Sequence, residues 1–511
     1  MRMRRRNRWR ISVSRSGSSS TTRIVQGSIM DLKLSHVGAI PPAGRAPATV
    51  EGPIRFRYVR VFRCVKGTSM KNKTVSRRRF LGASAAAVGA AALPGGMLAA
   101  AAAGQRPVPP LPLGDLAPPA SPGEDFWWKV RSQFNVVDGM AFMNNGTLGP
   151  TPRVVADEEA RIYAEIAADP TNGYRRAELH EKRGTLASFI GAEPDEVTYT
   201  RSTTEGMNIF GRGLDWREGD EVLMCTHEHN GGIEPYIHAR ERYGVVIKWV
   251  DIPSPPESTD QILSIYENAI GPRTRAIMVS HITYVTGLLM PVKELTELCN
   301  RRNLLLSVDG AHPLGMIALD MKDLGCHHYA GAGQKWLMAG TGTGVSFIRR
   351  DTMGDIWPLI GAGTYREDGE RRFREDSRKY ENTGQRHVPS QYALVKSIEF
   401  QNVLGKDLIE ARVRTLSRRL KNGLRAIPGV RLWTSMSDEL AAGLTLFSVH
   451  DLPMENVQQA ILDRDRVFIR TMSTGNLNAV RASTHIYNMP HEVDRLIASV
   501  RHIAANPTDY M

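Results

Sequence analysis

Five short apolar runs, Glu221 to Cys225, Val245 to Val250, Ala276 to Ser280, Leu304 to Val308 and Val345 to Ile348, alternate with amphipathic segments such as Val292 to Arg302. Strands apolar along their whole length must be covered on both faces, and connections of this length have room for a covering helix. The pattern is that of an α/β fold, a mostly parallel sheet wrapped by helices. From about Gln391 the style changes to long helices, Gln391 to Leu404 and Leu408 to Ala426, followed by short strands that end at Arg481. Residues 125–390 are therefore read as an N-terminal segment and a large domain, and 391–511 as a small α+β domain folding back over the large one.

Open sheets of this kind place ligands at the ends of their strands, and chemistry-bearing residues gather there. The strand Leu304 to Val308 runs into Asp309-Gly310-Ala311-His312, and 26 positions after Asp309 comes Gly333-Gln334-Lys335-Trp336. An amine that can form a Schiff base and an anion that can keep a pyridine nitrogen protonated are together what pyridoxal phosphate needs. The glycines of Gly340-Thr341-Gly342-Thr343-Gly344 let backbone approach a bulky ligand just after the lysine.

Four other strand ends carry candidates. Thr200-Arg201-Ser202-Thr203-Thr204-Glu205 opens a helix and reads either as a phosphate site at a positive helix end or as an N-cap with Glu205 in its first turn. His227 and His229 stand two apart, but no cluster of Cys, Asp or Glu completes a metal site around them, and no metal is expected. Tyr284 offers a phenol to a cofactor hydroxyl or packs under a loop. Arg481, in Val480-Arg481-Ala482-Ser483, offers a planar guanidinium to a carboxylate or pairs with a surface acid. Near the front, Asn145 in Ala141 to Pro150 touches substrate or makes a turn.

Taken in this order, the segments resemble the class V aminotransferase family, which includes cysteine desulfurases, kynureninases and isopenicillin epimerase-like proteins. The resemblance covers roughly residues 125–505. It implies the pyridoxal-phosphate fold of type I, with a seven-stranded type of sheet in the large domain, and a homodimer. It implies Lys335 as the catalytic Schiff-base lysine and a cofactor-binding set of Thr203, Thr204, His229, Asp309, His312, Gln334, Tyr284 and Thr383. In that set Thr203 and Thr204 hold the phosphate and His229 stacks on the pyridine. Arg481 and Asn145 then face the substrate, with Arg481 on its α-carboxylate.

The departures matter equally. Desulfurases carry a loop thiol shortly before the arginine, and here Arg470 to Asn478 has no cysteine, so sulfur transfer is disfavoured. Tyr284 replaces a usual Asn, and Gln334 stands where His is common. The segment Glu381-Asn382-Thr383-Gly384-Gln385 looks closer to the epimerase-like form, with Thr383 or Gln385 as the residue that would reach a neighbouring subunit's phosphate. Of the four cysteines, Cys64, Cys225, Cys299 and Cys326, none forms a CxxC pair, and Cys225 and Cys299 lie in apolar patterns as small buried hydrophobes.

The N-terminus speaks to location. Ser76-Arg77-Arg78-Arg79-Phe80-Leu81 followed by the Ala-rich run from Ala83 to Ala103 has the layout of a twin-arginine export signal, residues 70–104. Its apolar core is too short and too rich in Ala and Gly for a membrane span. The protein is thus expected in the periplasm, delivered by the twin-arginine machinery; failing that signal it is cytoplasmic. Residues 1–69 read as a start-site extension or disordered leader, and the Pro-rich stretch of 105–124 as a linker.

The net charge of +13 is no sign of a nucleic-acid partner. Residues 1–79 hold 20 of the 66 Lys and Arg and 2 of the 53 Asp and Glu, leaving 46 against 51 and a net charge of −5 over 80–511.

The expectation is a pyridoxal-phosphate enzyme acting at the α-carbon of an amino acid or its derivative, aminotransferase-like or epimerase-like. A lyase on the same cofactor and a non-catalytic pyridoxal-phosphate-binding protein are the rivals.

Overall fold

The computed structural model describes residues 110–174, 176–361, 376–474 and 477–511. The expected leader, export signal and first residues of the linker lie outside the described residues. Among those described, no helix is long and apolar enough to cross a membrane.

An N-terminal segment contributes the short strand β1 (Ala141–Phe142). The central sheet follows, from β2 (Val197–Thr200), β3 (Glu221–Cys225), β4 (Val246–Val250), β5 (Thr274–Ser280), β6 (Leu305–Gly310), β7 (His328–Ala332) and β8 (Gly344–Ile348). Its order is β2-β8-β7-β6-β5-β3-β4. The pairs β3–β4, β3–β5, β5–β6 and β6–β7 are parallel; β8 is antiparallel to both of its neighbours. Every residue of β2, β3, β7 and β8 is buried, as strands covered on both faces require. At the edge, β4 exposes Val246 and Trp249.

The apolar runs expected as strands form here with ends shifted by at most two residues, except that β7 was not anticipated. Its sequence His-Tyr-Ala-Gly-Ala has little apolar bulk. It is a strand because β6 and β8 supply ladder partners on both sides, and His328 satisfies its ring nitrogens internally, against Ser307 Oγ (2.9 Å) and Ser346 Oγ (3.2 Å).

Beyond the sheet, the helices Val388–Leu404 and Lys406–Arg425 run into a four-stranded antiparallel sheet. Its strands are β9 (Val430–Leu432), β10 (Leu444–Val449), β12 (Arg470–Met472) and β13 (Ala479–Ser483), in the order β12-β13-β10-β9. Between β10 and β12, β11 (Val467–Phe468) pairs in parallel with β1. The helix Lys406–Arg425 buries Ile409, Val413, Leu416, Leu420 and Leu424, a stripe at spacings of three and four that gives it one apolar face. Beside that stripe, buried Arg412 is paired with Glu124 at 2.6 Å and lies over the Trp127 ring. The N-terminal segment is thereby stitched to the C-terminal part, and a bridge between Asn144 and Ser483 continues the seam.

At the end of β6, next to Asp309, an added Cβ on Gly310 would lie 1.9 Å from the Tyr329 ring. Gly310→Ala should destabilise the fold by about 1–3 kcal/mol through overpacking, read as a lower midpoint in urea unfolding; an unchanged midpoint would show that the Tyr329 ring yields freely.

Candidate active site

The parallel strands deliver their C-terminal ends to one cavity of about 170 Å³. Ser202, Thr203 and Thr204 reach it after β2, His229 after β3, Tyr284 after β5, Asp309 at the end of β6, and Gln334 and Lys335 after β7. From the other side come Gly146 and Thr147 of the N-terminal segment, Arg470 of β12 and Arg481 of β13. Adding a Cβ to Gly149 would bring it 2.3 Å from the Lys335 carbonyl, so only glycine lets this segment lie against the lysine's backbone.

Lys335 and Asp309 form the electrostatic centre. Burial pushes the Lys335 amine down to about 8; the Asp309 carboxylate opposes that shift, while Arg481 and Arg470 add to it. Desolvation raises the Asp309 carboxyl, against the pull of Lys335, of a hydrogen bond from the Ala311 amide (3.0 Å) and of His229. Neither group has its ordinary affinity for a proton. A cation brought against Asp309 would favour its carboxylate, as Lys335 does now.

One wall is the start of the helix Thr203–Gly213. Ser202 is its N-cap, its Oγ accepting from the Glu205 amide (3.2 Å), so the N-cap reading of this segment holds. The cap employs Ser202, leaving Thr203 Oγ1 buried without a partner. A buried hydroxyl at a helix N-terminus is chemically suited to an anion such as a phosphate. Gln334 Oε1 is also buried and unpartnered.

Across the cavity, His229 caps the helix Asn230–Tyr243 through Nδ1, which accepts from the Gly231 amide (3.0 Å). Burial and then Lys335 depress its pKa, favouring a neutral ring. Its ring meets the edge of Tyr284 at 5.0 Å. The Tyr284 hydroxyl is engaged with Thr474 Oγ1 (3.0 Å), and its carbonyl accepts from Arg481 Nη1. His312 is buried and neutral, its pKa held far below the usual value by desolvation; Nδ1 accepts from Trp336 Nε1 (3.1 Å) and Nε2 has no partner.

Three expected site residues do not line the cavity: His312, Asn145 and Thr383. Asn145 is fully buried, donates to the Lys335 carbonyl (3.4 Å) and accepts from the Tyr487 hydroxyl (3.2 Å). It does not line the cavity and supports the lysine's backbone instead of facing substrate. Thr383 is also absent from the cavity wall. Its segment hangs on Glu381, which accepts from Arg183 (2.7 Å) and from the Tyr199 amide (2.7 Å).

Sequence reasoning missed Arg470, Thr147 and Glu228. Arg470 and Arg481 lie opposite each other in β12 and β13, and both donate to Thr147 Oγ1, at 2.7 and 3.4 Å. The signal was available: two arginines equidistant from the turn of one hairpin. Glu228, behind the cavity, accepts from Ser280 Oγ (2.5 Å), and burial lifts its pKa to about 8, so it is protonated at neutral pH. Among the described residues, no group of three or more His, Cys, Asp or Glu is placed to hold a metal ion.

The sheet order, with its ligand-accepting strand ends and a lysine beyond β7, is that of pyridoxal-phosphate-dependent enzymes of fold type I. The chain belongs to the class-V aminotransferase family, whose sequence model matches residues 142–496. It is 29% identical over 393 residues to isopenicillin N epimerase of Amycolatopsis lactamdurans, covering 74% of this chain and 98% of that protein. A probable cysteine desulfurase of Pyrococcus abyssi is 25% identical over 390 residues, covering 72% and 95%. Among solved structures, a C-DES mutant with glycine covalently linked to its PLP cofactor superposes with a TM-score of 0.67 at 24% identity, covering 73% of this chain and 98% of that one.

Because the folded-state pKa of Lys335 lies below its unfolded value, the protein without cofactor binds fewer protons than the unfolded chain between about pH 8 and the ordinary lysine range, and gains stability as pH rises through that window. Competitive acetylation of the cofactor-free protein, read by mass spectrometry, should show Lys335 titrating near 8. In Asp309→Asn the midpoint should fall, since the carboxylate holds it up. A midpoint in the ordinary lysine range would contradict the desolvated site.

Proposed function

We propose that this protein is a pyridoxal-phosphate enzyme acting at the α-carbon of an amino acid or amino-acid derivative, epimerase-like or aminotransferase-like. The observation that carries this reading is the placing of half-buried Lys335 and buried Asp309 in one cavity beside the partnerless hydroxyl of Thr203 at a helix N-terminus.

The residues fit the cofactor. Thr203, Thr204 and the first amides of the helix Thr203–Gly213 would hold its phosphate, with Gln334 beside them. Asp309 would pair with the pyridine nitrogen, and the ring of His229 would lie against the heterocycle. Pyridoxal phosphate, when bound, supplies an aldehyde for the amine and an electron-withdrawing ring for the electrons of a broken bond.

The chain does the rest. Arg481, buried and with its Nε unpartnered, offers two donors to the substrate α-carboxylate and fixes the α-carbon. Lys335, its amine shifted to about 8, takes the α-proton near neutral pH, where an ordinary lysine would remain charged. Asn145 and Gly149 hold the backbone from which it acts.

Within this class we favour epimerisation or transamination over sulfur transfer. The thiols of Cys299 and Cys326 are buried with pKa values pushed up to about 12, and Cys225 is buried and raised as well. The loop before Arg481 carries threonine and serine where transfer needs a thiol. The similarity to isopenicillin N epimerase supports the epimerase-like choice. A homodimer, with Thr383 or Gln385 completing the partner's phosphate site, and export by the twin-arginine route belong to the same proposal.

A panel of L- and D-amino acids tests it. Borohydride should fix a pyridoxyl mass on Lys335. Deuterium uptake at Cα from heavy water without formation of pyridoxamine phosphate indicates epimerisation, its formation indicates transamination, and release of a β-substituent indicates a lyase. Lys335→Ala should lose at least 100-fold in rate, and Arg481→Lys should raise KM about 10–100-fold. No adduct on Lys335 would overturn the reading, and unchanged KM would remove Arg481 from the carboxylate site.

A further inference from the structure

Two guanidinium groups enter the cavity, and the proposed mechanism uses one. Arg470 and Arg481 face each other across β12 and β13, and the Thr147 hydroxyl stands between them, accepting from Nη1 of Arg470 (2.7 Å) and Nη2 of Arg481 (3.4 Å). Among the described residues, no carboxylate forms an ion pair with either. Arg481 is 1% exposed, gives Nη1 to the Tyr284 carbonyl and has no partner for Nε.

Like charges at this separation repel, and the cost grows as water is removed. The repulsion is visible in Arg481, whose pKa burial and Arg470 together push down to about 9. One α-carboxylate neutralises one of these cations. It leaves the other in a narrow cavity facing whatever the substrate carries next, and a neutral side chain would strand it. Thr147 also partitions the donors: with the Nη2 and Nε edge of Arg481 assigned to the α-carboxylate, the donors of Arg470 beyond Thr147 remain available to a separate group. The phosphate of the cofactor would be held at a different wall, at Thr203 and Thr204.

We propose that Arg470 is a specificity-determining residue that binds a second carboxylate of the substrate, so that this enzyme prefers amino acids bearing an acidic group beyond the α-carboxylate. The inference rests on the reading of the cavity as an amino-acid site with Arg481 on the α-carboxylate. It accounts for both arginines, for their shared hydroxyl and for the lack of an internal counter-ion.

The test compares the holoenzyme with Arg470→Gln and Arg470→Lys. Calorimetric binding of succinate, glutarate and adipate is set against butyrate, none of which has an amine to react at Lys335. Wild type should bind the best-fitting dicarboxylate at least about ten-fold more tightly than butyrate. Arg470→Gln should abolish that preference while leaving butyrate binding within about two-fold, and Arg470→Lys should restore part of it. In turnover, Arg470→Gln should raise KM for acidic amino acids at least about ten-fold more than it raises KM for alanine. Equal loss for dicarboxylate and monocarboxylate, or no preference in wild type, overturns the proposal, because Arg470 then shares the α-carboxylate or only supports the hairpin. Since binding of these acids does not pass through Lys335, a missing pyridoxyl mass on that lysine would sink the cofactor reading without deciding this one.

Discussion

One amine and one carboxylate share a cavity from which water is largely removed, and the rest of the molecule serves that arrangement. Asp309 ends β6 and Lys335 follows β7, neighbouring parallel strands, so a rigid ladder sets their spacing. Neither charge has bulk solvent to fall back on, and each shifts the proton affinity of the other. Desolvating two ionisable groups together is poor stabilisation. It is good chemistry: a lysine whose pKa burial lowers to about 8, beside an acid whose carboxylate a cationic ring would favour.

The periphery is built to hold that centre still. Gly149 and Asn145 bind the backbone of Gln334 and Lys335 from the N-terminal segment, and His485 contacts the Trp336 carbonyl (2.8 Å) from beyond β13. Two stretches far apart in sequence thus converge on the peptide that carries the lysine. On the opposite side, Tyr284 ties together His229, Thr474 and Arg481, linking the large sheet to the hairpin that brings both arginines. The site is closed by contacts between parts of the chain nearly 200 residues apart.

Much of this was readable in the one-dimensional chain. The all-apolar runs announced buried strands because a two-sided strand leaves no polar alternation, and Asp309, Thr203 and His229 stood where strands end. What escaped was whatever depended on a partner. β7 has too little bulk to declare itself and exists through its neighbours on both edges. Asn145 sits in a segment that does reach the cavity, yet its side chain turns to Tyr487 and a backbone carbonyl, a choice of rotamer that no pattern encodes. Arg470 acquires meaning only when β12 and β13 pair and set it opposite Arg481.

The sequence by itself determined the strand and helix periodicity, the order of the chemical groups and the family to which they belong, since these are properties of spacing along a chain. Tertiary structure alone decided which hydroxyl caps a helix and which is left for a ligand, which asparagine props the lysine, and that two cations share one small cavity. Those outcomes follow from desolvation and from distances between residues remote in sequence, and neither quantity exists until the sheet has closed around them.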